Sequence, residues 1–466
     1  MSIKEVSFLI LCLLLCQKAT SSCECCSEEI SSKATIVNRI INVLTKGNEA
    51  GVTYNELEKF VDKFGPRMTG TETLENSIDY MLDLLRRNGL NARTEEVEAP
   101  FWIRGEEYAE MTKPWPKKFG VLGIGLSVGT NGANISAPVL VVTSFEELEE
   151  RRDEVQGKIV VYNFKFKSYG VSVKYRSQGA SRASKYGALA VLVKSVTPFS
   201  LYTPHTGMLN YDQTVPKIPA ACITVEDAEL IHRLSKRDNV SVRLFMGAKT
   251  LDKPAISRNI IVDIKGWKYP EEVVIVSGHI DSWDVGQGAM DDGGGAFVSW
   301  RALAVIHNLG LKPKRTLRAI LWTGEEQGLW GAQSYIKVSL TPRHKNEIDN
   351  ISIAMESDIG TFRPLGLTFS GTNPKSQCIV KHTLELMKAI NATELVLGVE
   401  GSDIVLFNEY KVPLASLNND HRTYFYYHHT NADTMLVENS TNLDTCTALW
   451  AASSFVFADL NHKLWR

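Results

Sequence analysis

The sequence has no surplus of positive charge. Its 466 residues carry 51 Lys and Arg against 53 Asp and Glu, a formal net charge of -2. Without a basic excess there is little to neutralise phosphates, which argues against nucleic acid as a partner. Cysteine is sparse as well. Of eight, Cys12 and Cys16 fall in the first apolar run. Cys23, Cys25 and Cys26 crowd just after it, and Cys222, Cys378 and Cys446 are scattered. That pattern excludes a dense disulfide framework, and no His or Cys pair follows the N-terminal trio at zinc-finger spacing. A chain this long buries a core without such staples. Short-period repeats and low-complexity tracts are absent. After the first apolar run no stretch is long enough to span a bilayer; 449–460 comes nearest, but it is short and broken by serines and Asp459. The glycines at 293–295 lack the Lys and Ser/Thr of a phosphate-binding loop.

What is present begins with a secretory signal. Lys4 precedes an apolar run, 6–16, and small residues follow at Ala19, Thr20, Ser21 and Ser22. The run is too short to cross a membrane, so residues 1–21 are expected to be removed. Five glycosylation sequons, at Asn134, Asn239, Asn350, Asn391 and Asn439, fit that route. The expected destination is outside the cell, with lysosome, endoplasmic reticulum and Golgi as further compartments. Residues 22–50 are polar without a strong period and read as a propeptide or an ordered arm.

Helical spacing predicts helices over 53–64 and 73–88, with Ile78, Leu82 and Leu85 recurring on one face and Gly89 as a stop. A strand is expected over 91–98. From 114 to 250 short apolar strands (139–142, 158–162, 188–193, 220–223) alternate with short helices such as 225–234. No cluster of metal-ligand types sits there, and His205 and His232 are lone, so this stretch reads as an inserted, non-catalytic domain. It divides a larger unit into 51–113 and 251–466. From 257 onward the pattern is α/β. Apolar runs at 259–264, 273–277, 317–322 and 351–355 are strands of a mainly parallel mixed sheet flanked by helices over 295–308, 330–338, 376–390 and 443–461.

The chemistry follows those strands. The run at 273 leads into His279 and Asp281, the run at 317 into Glu325 and Glu326, and the run at 351 into Asp358. Ligands of open α/β sheets gather at the carboxyl ends of strands, so three strands bring His or carboxylate groups to one edge. These are residue types that zinc accepts. Asp291 sits in a glycine-rich turn before a helix, positioned to aim a carboxylate back at that edge. His428 and His429 lie in a loop before the last helix. Each alone has an ordinary reading: His279 as a core histidine, Glu325 and Glu326 as a helix start, Asp291 and Asp292 as turn residues, Asp358 as a cap. His307, His344, His382, His421 and His462 read as structural or surface positions.

Taken together, His279-Ile-Asp281, Gly288-Ala-Met-Asp-Asp-Gly293, Thr323-Gly-Glu-Glu-Gln-Gly328, Glu356-Ser-Asp358 and His429-Thr-x-x-Asp433 resemble the motif set of the di-zinc aminopeptidase and glutamate carboxypeptidase family. The resemblance runs from about residue 54 to the end. It is greatest to a secreted member, through the removable signal, an insert similar to a protease-associated domain and the Glu400-Gly-Ser-Asp403 segment. It implies a zinc exopeptidase fold, two zinc ions per chain, a small peptide substrate and a homodimer, with no membrane span after signal removal. His279 and Asp358 would hold one zinc, Glu326 and His429 the other, and Asp291 would bridge them. His429 is preferred to His428 because the family's ligand directly precedes Thr or Ser. Asp281 would fix the tautomer of His279, and Glu325 would be the general base. The Asp291–Asp292 peptide would be cis. Ser402 and Asp403 would lie on the substrate side; many relatives have His where this chain has Ile404. The implied reaction is hydrolysis of dipeptides with a free N-terminus. A single-zinc, glutaminyl cyclase-like acyl transferase is the alternative on the same fold, opposed by the insert and the full ligand set. A receptor-like binding protein is the non-catalytic alternative, opposed by five competent ligand positions.

Overall fold

The chain is described by a computed structural model over residues 27–339 and 347–466. The expected signal segment, Cys23, Cys25, Cys26 and His344 lie outside the described residues. After a short helical segment at 27–31 come three helices: α1 (Ala34–Thr45), α2 (Val52–Phe64) and α3 (Glu72–Arg87). α3 starts at Thr71, whose hydroxyl accepts from the Leu74 amide at 3.2 Å. Glu72 and Glu75 stand in its first turn and Arg86 and Arg87 in its last, opposing the helix dipole at each end.

Eight strands form the larger sheet: β1 (Ala92–Ala99), β2 (Ala255–Ile264), β3 (Tyr269–His279), β4 (Arg315–Trp322), β5 (Ile351–Glu356), β6 (Pro364–Phe369), β7 (Glu394–Leu397) and β8 (Leu414–Asn419). Their order is β1-β2-β4-β3-β5-β8-β6-β7. The four neighbours β4, β3, β5 and β8 are mutually parallel, so their carboxyl ends share one edge. β4, β5 and β8 are buried along their whole length, as strands covered on both faces must be. Helices α4 (Gly294–Asn308) and α5 (Ser440–Asp459) pack against this sheet and each other. Both are buried on nearly every side and so carry no clean apolar stripe.

The residues before α2 form an outer layer on this core. Val37, Ile40, Ile41 and Leu44 recur at helical spacing along α1 and are buried in the main hydrophobic cluster with α5. Lys33 pairs with Asp459, Glu29 with Lys314 at 3.2 Å, and Glu49 with Arg301. The described part of 22–50 is thus folded onto the core, and excising it would expose that stripe. Ile40→Ala is expected to lower stability by about 2–5 kcal/mol, the cost of truncating a fully buried aliphatic side chain, read as a lower denaturant midpoint. An unchanged midpoint would mean that the arm contributes nothing to the fold.

The inserted domain is entered through Trp102–Ile103 and left through Lys249–Thr250, which pair antiparallel. Its own eight-stranded sheet runs Lys117–Lys118, Glu107–Lys113, Ser241–Met246, Ile135–Val142, Ile159–Tyr162, Ala190–Lys194, Ala220–Ile223, Val121–Gly123, with apolar clusters on both faces. The expected boundary at 113/114 cuts through this unit. Glu107–Lys113 pairs with Ser241–Met246, so the insert starts near Trp102, where the chain's outward and return legs meet. Among the described residues Cys222 and Cys446 are free and buried, and Cys378 is disulfide-bonded. No helix among them is long and apolar enough to cross a membrane. Asn134, Asn239, Asn391 and Asn439 are exposed and Asn350 is half-buried.

Candidate metal centre

Each of the four central parallel strands ends in a segment that carries a metal-ligand type of residue. His279 is the last residue of β3; Glu325 and Glu326 follow β4, Asp358 follows β5, and His428 and His429 follow β8. Asp291 comes from the turn between β3 and α4. The distances bring them into one cluster. His279 Nε2 is 3.4 Å from Asp291 Oδ1 and 3.3 Å from Asp358 Oδ1. His429 Nε2 is 3.3 Å from Asp291 Oδ2 and 3.0 Å from Glu326 Oε2. One carboxylate, Asp291, therefore turns its two oxygens toward two separate groups of donors. His428 Nε2 lies 3.6 Å from Asp291 Oδ2, and its ring stacks on that of His429 at 3.5 Å. His429 reaches both Asp291 and Glu326, while His428 pairs with Asp291 alone.

The turn that carries Asp291 is built for that orientation. The Asp291–Asp292 peptide is cis, as the resemblance implies. Asp433 accepts from three successive amides, Ala289 at 3.1 Å, Met290 at 2.8 Å and Asp291 at 3.1 Å. Asp292 is not free to join the donors: its oxygens accept from the His279 amide at 2.9 Å and the Gly295 amide at 3.0 Å. That seat requires glycine at 295, where a Cβ would lie 1.9 Å from the Ser357 carbonyl and 2.3 Å from Asp292 Oδ1. Arg67 closes the back. Its guanidinium donates to the carbonyls of Ile280, Gly65, Gln287 and Gly288. It is fully buried, and burial pulls its pKa down to about 10, so it stays charged behind the acids.

Nδ1 of His279 is 2.9 Å from the Asp281 carbonyl, and the Asp281 carboxylate is farther, at 3.7 Å. A carbonyl only accepts, so Nδ1 holds a proton and Nε2 is the nitrogen that faces Asp291 and Asp358. The nearer contact of His279 with Asp281 is thus to the main chain of Asp281. Its carboxylate instead accepts from Thr69 Oγ1 at 3.2 Å and from the Glu325 amide at 3.3 Å, which ties the Glu325 segment to the site. Among the acids Glu325 is the one with an open side: its side chain is 14% exposed, against 3% for Glu326 and 6% for Asp358. Asp403 is fully buried, and its amide donates to Glu356 Oε2 at 3.0 Å. Ser402 beside it is half-buried, so of the two it is the one a ligand reaches more easily.

The donor set fits divalent ions. His279 Nε2, Asp291 Oδ2 and Glu326 Oε1 are buried without a hydrogen-bond partner in the protein, an arrangement that costs free energy unless something else satisfies these atoms. Burial first, and then the neighbouring carboxylates, hold Glu325 and Glu326 well above the usual carboxylate range, and burial raises Asp291. Burial holds the His429 imidazole well below its ordinary value, which keeps it neutral as a ligand must be. Three acids that resist ionising side by side are what a dication relieves, so uptake of zinc is expected to release protons near neutral pH. It is also expected to raise the melting temperature, by an amount equivalent to about 2.7 kcal/mol at a free concentration one hundred times Kd. Calorimetry in buffers of different ionisation enthalpy counts those protons; uptake without proton release would contradict the donor set.

Arg67 carries no signal in the sequence, because its acceptors are all main-chain carbonyls. Asp433 is part of a recognisable motif, but its role as an amide clamp is visible only here.

A model of peptidase family M28 matches residues 259–454. The chain is 48% identical to carboxypeptidase Q of Homo sapiens over 94% of its own length and 92% of the relative's. The crystal structure of a peptidase M28 precursor from Shewanella amazonensis superposes with a TM-score of 0.87 at 28% identity, covering 94% of this chain and 99% of that one. A zinc aminopeptidase from Bacillus subtilis shares the fold, with a TM-score of 0.65 at 20% identity over 86% of this chain and 93% of that one.

Proposed function

Because this chain belongs to peptidase family M28, in its carboxypeptidase Q group, and is accordingly a zinc metallopeptidase, we propose that it hydrolyses small peptides, dipeptides with a free N-terminus above all, at a two-zinc site with Glu325 as general base. The observation that carries this reading is the double orientation of Asp291, whose two oxygens address His279 and His429 separately. His279 and Asp358 would hold one ion, Glu326 and His429 the other, with Asp291 shared. Two such ions polarise a carbonyl and bring the pKa of an attacking water near neutrality.

The protein's own residues supply the rest. Glu325 adjoins a ligand in sequence, is anchored through its amide to Asp281, and is the acid with access to solvent. It takes the proton of the attacking water and returns it to the leaving amine. The Ser402 segment supports a substrate-side role by its half-exposed position. Secretion, glycosylation at the four exposed sequons and a homodimer belong to the same reading and rest on the sequence pattern and the family resemblance. Light scattering of the purified protein tests the last.

The reaction is tested by amino-acid release from a panel of free and N-blocked dipeptides, with and without a chelator. Release from free dipeptides that stops with chelator and returns with zinc is expected. Equal cleavage of blocked substrates would remove the free N-terminus from the reading. No release from folded, zinc-loaded protein would remove the dipeptidase assignment.

A further inference from the structure

Segment 205–207 of the inserted domain runs alongside 428–429 of the metal loop, and the two are joined by three contacts. His205 Nδ1 lies 2.8 Å from the His428 carbonyl. The Thr206 amide donates to the His429 carbonyl at 2.9 Å. The Thr206 carbonyl lies 3.3 Å from His429 Nδ1. Since a carbonyl only accepts, this contact puts the proton on Nδ1 and leaves Nε2 free toward Asp291 and Glu326. His429 also holds a left-handed backbone, φ 61°, that few non-glycine residues adopt. The reciprocal pair with Thr206 spans that residue on both its main-chain and side-chain sides.

Thr206 is itself held in place. It is fully buried, and its hydroxyl donates to the Gly123 carbonyl at 2.8 Å. Its carbonyl accepts from Arg176 Nη1 at 3.0 Å as well as from His429. Nη2 of Arg176 donates to the Tyr169 hydroxyl at 2.9 Å. Tyr169 stacks on Phe425 at 4.5 Å and 15°, at the start of the metal loop. The guanidinium is buried, and its Nε has no hydrogen-bond partner. It lies flat against Gly207, φ 133°, where a Cβ would stand 2.2 Å from Arg176 Cζ. An arginine, a glycine and a carbonyl, all from the insert, converge on the far side of a single histidine ring.

We propose that Arg176 is a positioning residue of the metal centre: it holds the Thr206 carbonyl against His429 Nδ1, and the inserted domain is thereby a working part of the site. The inference rests on His429 being a ligand and adds to the peptidase reading the group that orients it. The insert would fix the tautomer of one ligand from outside the domain that supplies all five. Outer partners of ligand histidines set ring orientation and basicity, so the ion held by His429 should depend on Arg176 and the other should not.

The test uses the full-length protein and equilibrium zinc binding against a competing chelator, with circular dichroism as the check on folding. Arg176→Met is expected to weaken one of two ions by about 10–100-fold and leave the second as in the wild type. His429→Ala should weaken that same ion more. Arg176→Lys should recover part of the loss, since an ammonium keeps the charge and one donor but not the fork. If Arg176→Met fails to fold, Tyr169→Phe removes only the second anchor of the guanidinium and should shift the same ion by less. Wild-type binding of both ions in the folded variant, or equal weakening of both, overturns the inference while His429→Ala still loses one. Unchanged binding in His429→Ala overturns the ligand assignment and the inference with it.

Discussion

Glu325→Gln is expected to reduce turnover by about 10²–10⁴-fold or more, the range for loss of a positioned acid–base group, while the protein keeps its zinc. The substitution preserves shape and one acceptor oxygen but removes the ability to take up and give back a proton. Zinc retention follows from geometry: the nearest imidazole nitrogen to Glu325 is His279 Nε2 at 3.9 Å, whereas Glu326 is 3.0 Å from His429 Nε2. Glu326 is the acid built into the donor cluster, and its neighbour faces the opening. Glu325→Asp separates the two properties. It keeps the carboxylate but withdraws it by one methylene, and misplacement on that scale can cost as much as 10²-fold by orientation alone. The measurement is kcat on a dipeptide beside zinc content per chain. Near-wild-type turnover in Glu325→Gln would end the general-base role, and loss of zinc with turnover would make Glu325 a ligand.

The parts of this arrangement that the sequence reveals are those where one residue type has one use. β3, β4 and β5 are long apolar runs, and a His or acid directly after each is conspicuous. The helices at 225–234, 295–308 and 443–461 appear within a few residues of their positions, at Val225–Leu234, Gly294–Asn308 and Ser440–Asp459. β8 was not expected as a strand, because Leu414–Asn419 is half polar. Its Ser416 and Asn419 are nonetheless buried, with the Ser416 hydroxyl accepting from the amides of Glu400 and Gly401 and the Asn419 side chain donating to the Gly360 carbonyl. Hydrogen bonding replaces hydrophobicity there, and a periodicity argument does not register it. β7 is missed for the opposite reason. It is an edge strand with three of four residues exposed, so little apolar pattern is needed to keep it in place.

The insert shows a deeper limit. Read along the chain, 114–250 contains lone histidines and no ligand cluster, and a non-catalytic domain follows naturally. The contribution proposed for it is a backbone carbonyl, and every residue has one. The signal that could have marked it is indirect: a glycine next to Thr206 that a buried arginine requires. The same holds for Arg67, one among many cations in the sequence, whose four acceptors are all main-chain oxygens. Side-chain donors to a metal leave a motif. The groups that aim those donors leave almost none, because they bind peptide groups that carry no identity.

Arg67 is where that hidden layer should have its largest effect on the fold. Its guanidinium joins the start of the metal site at Ile280 to the approach of the Asp291 turn at Gln287 and Gly288, and it stacks over Phe60 with Cζ 4.9 Å from the ring centroid. Arg67→Met keeps much of the volume and removes all four donors. The carbonyl of Ile280 is then left buried without a partner, at about 1–3 kcal/mol, while that of Gly288 keeps only the Gly293 amide at 3.1 Å. Those of Gly65 and Gln287 are only partly buried and recover some hydration. The buried acids Asp433, Asp281, Asp292 and Glu326 also lose the cation that offsets them. The expected result is a melting temperature lower by roughly 5–20 °C, taking ~2–4 °C per kcal/mol for a large domain, together with weaker zinc binding as the 287–291 turn loosens. Arg67→Lys should not restore it, because one ammonium on a flexible stem cannot serve four carbonyls arranged for a planar fork. If Arg67→Met melts with the wild type and holds zinc equally well, then the acceptors find other donors. In that case the Asp433 clamp alone keeps Asp291 turned toward both histidines.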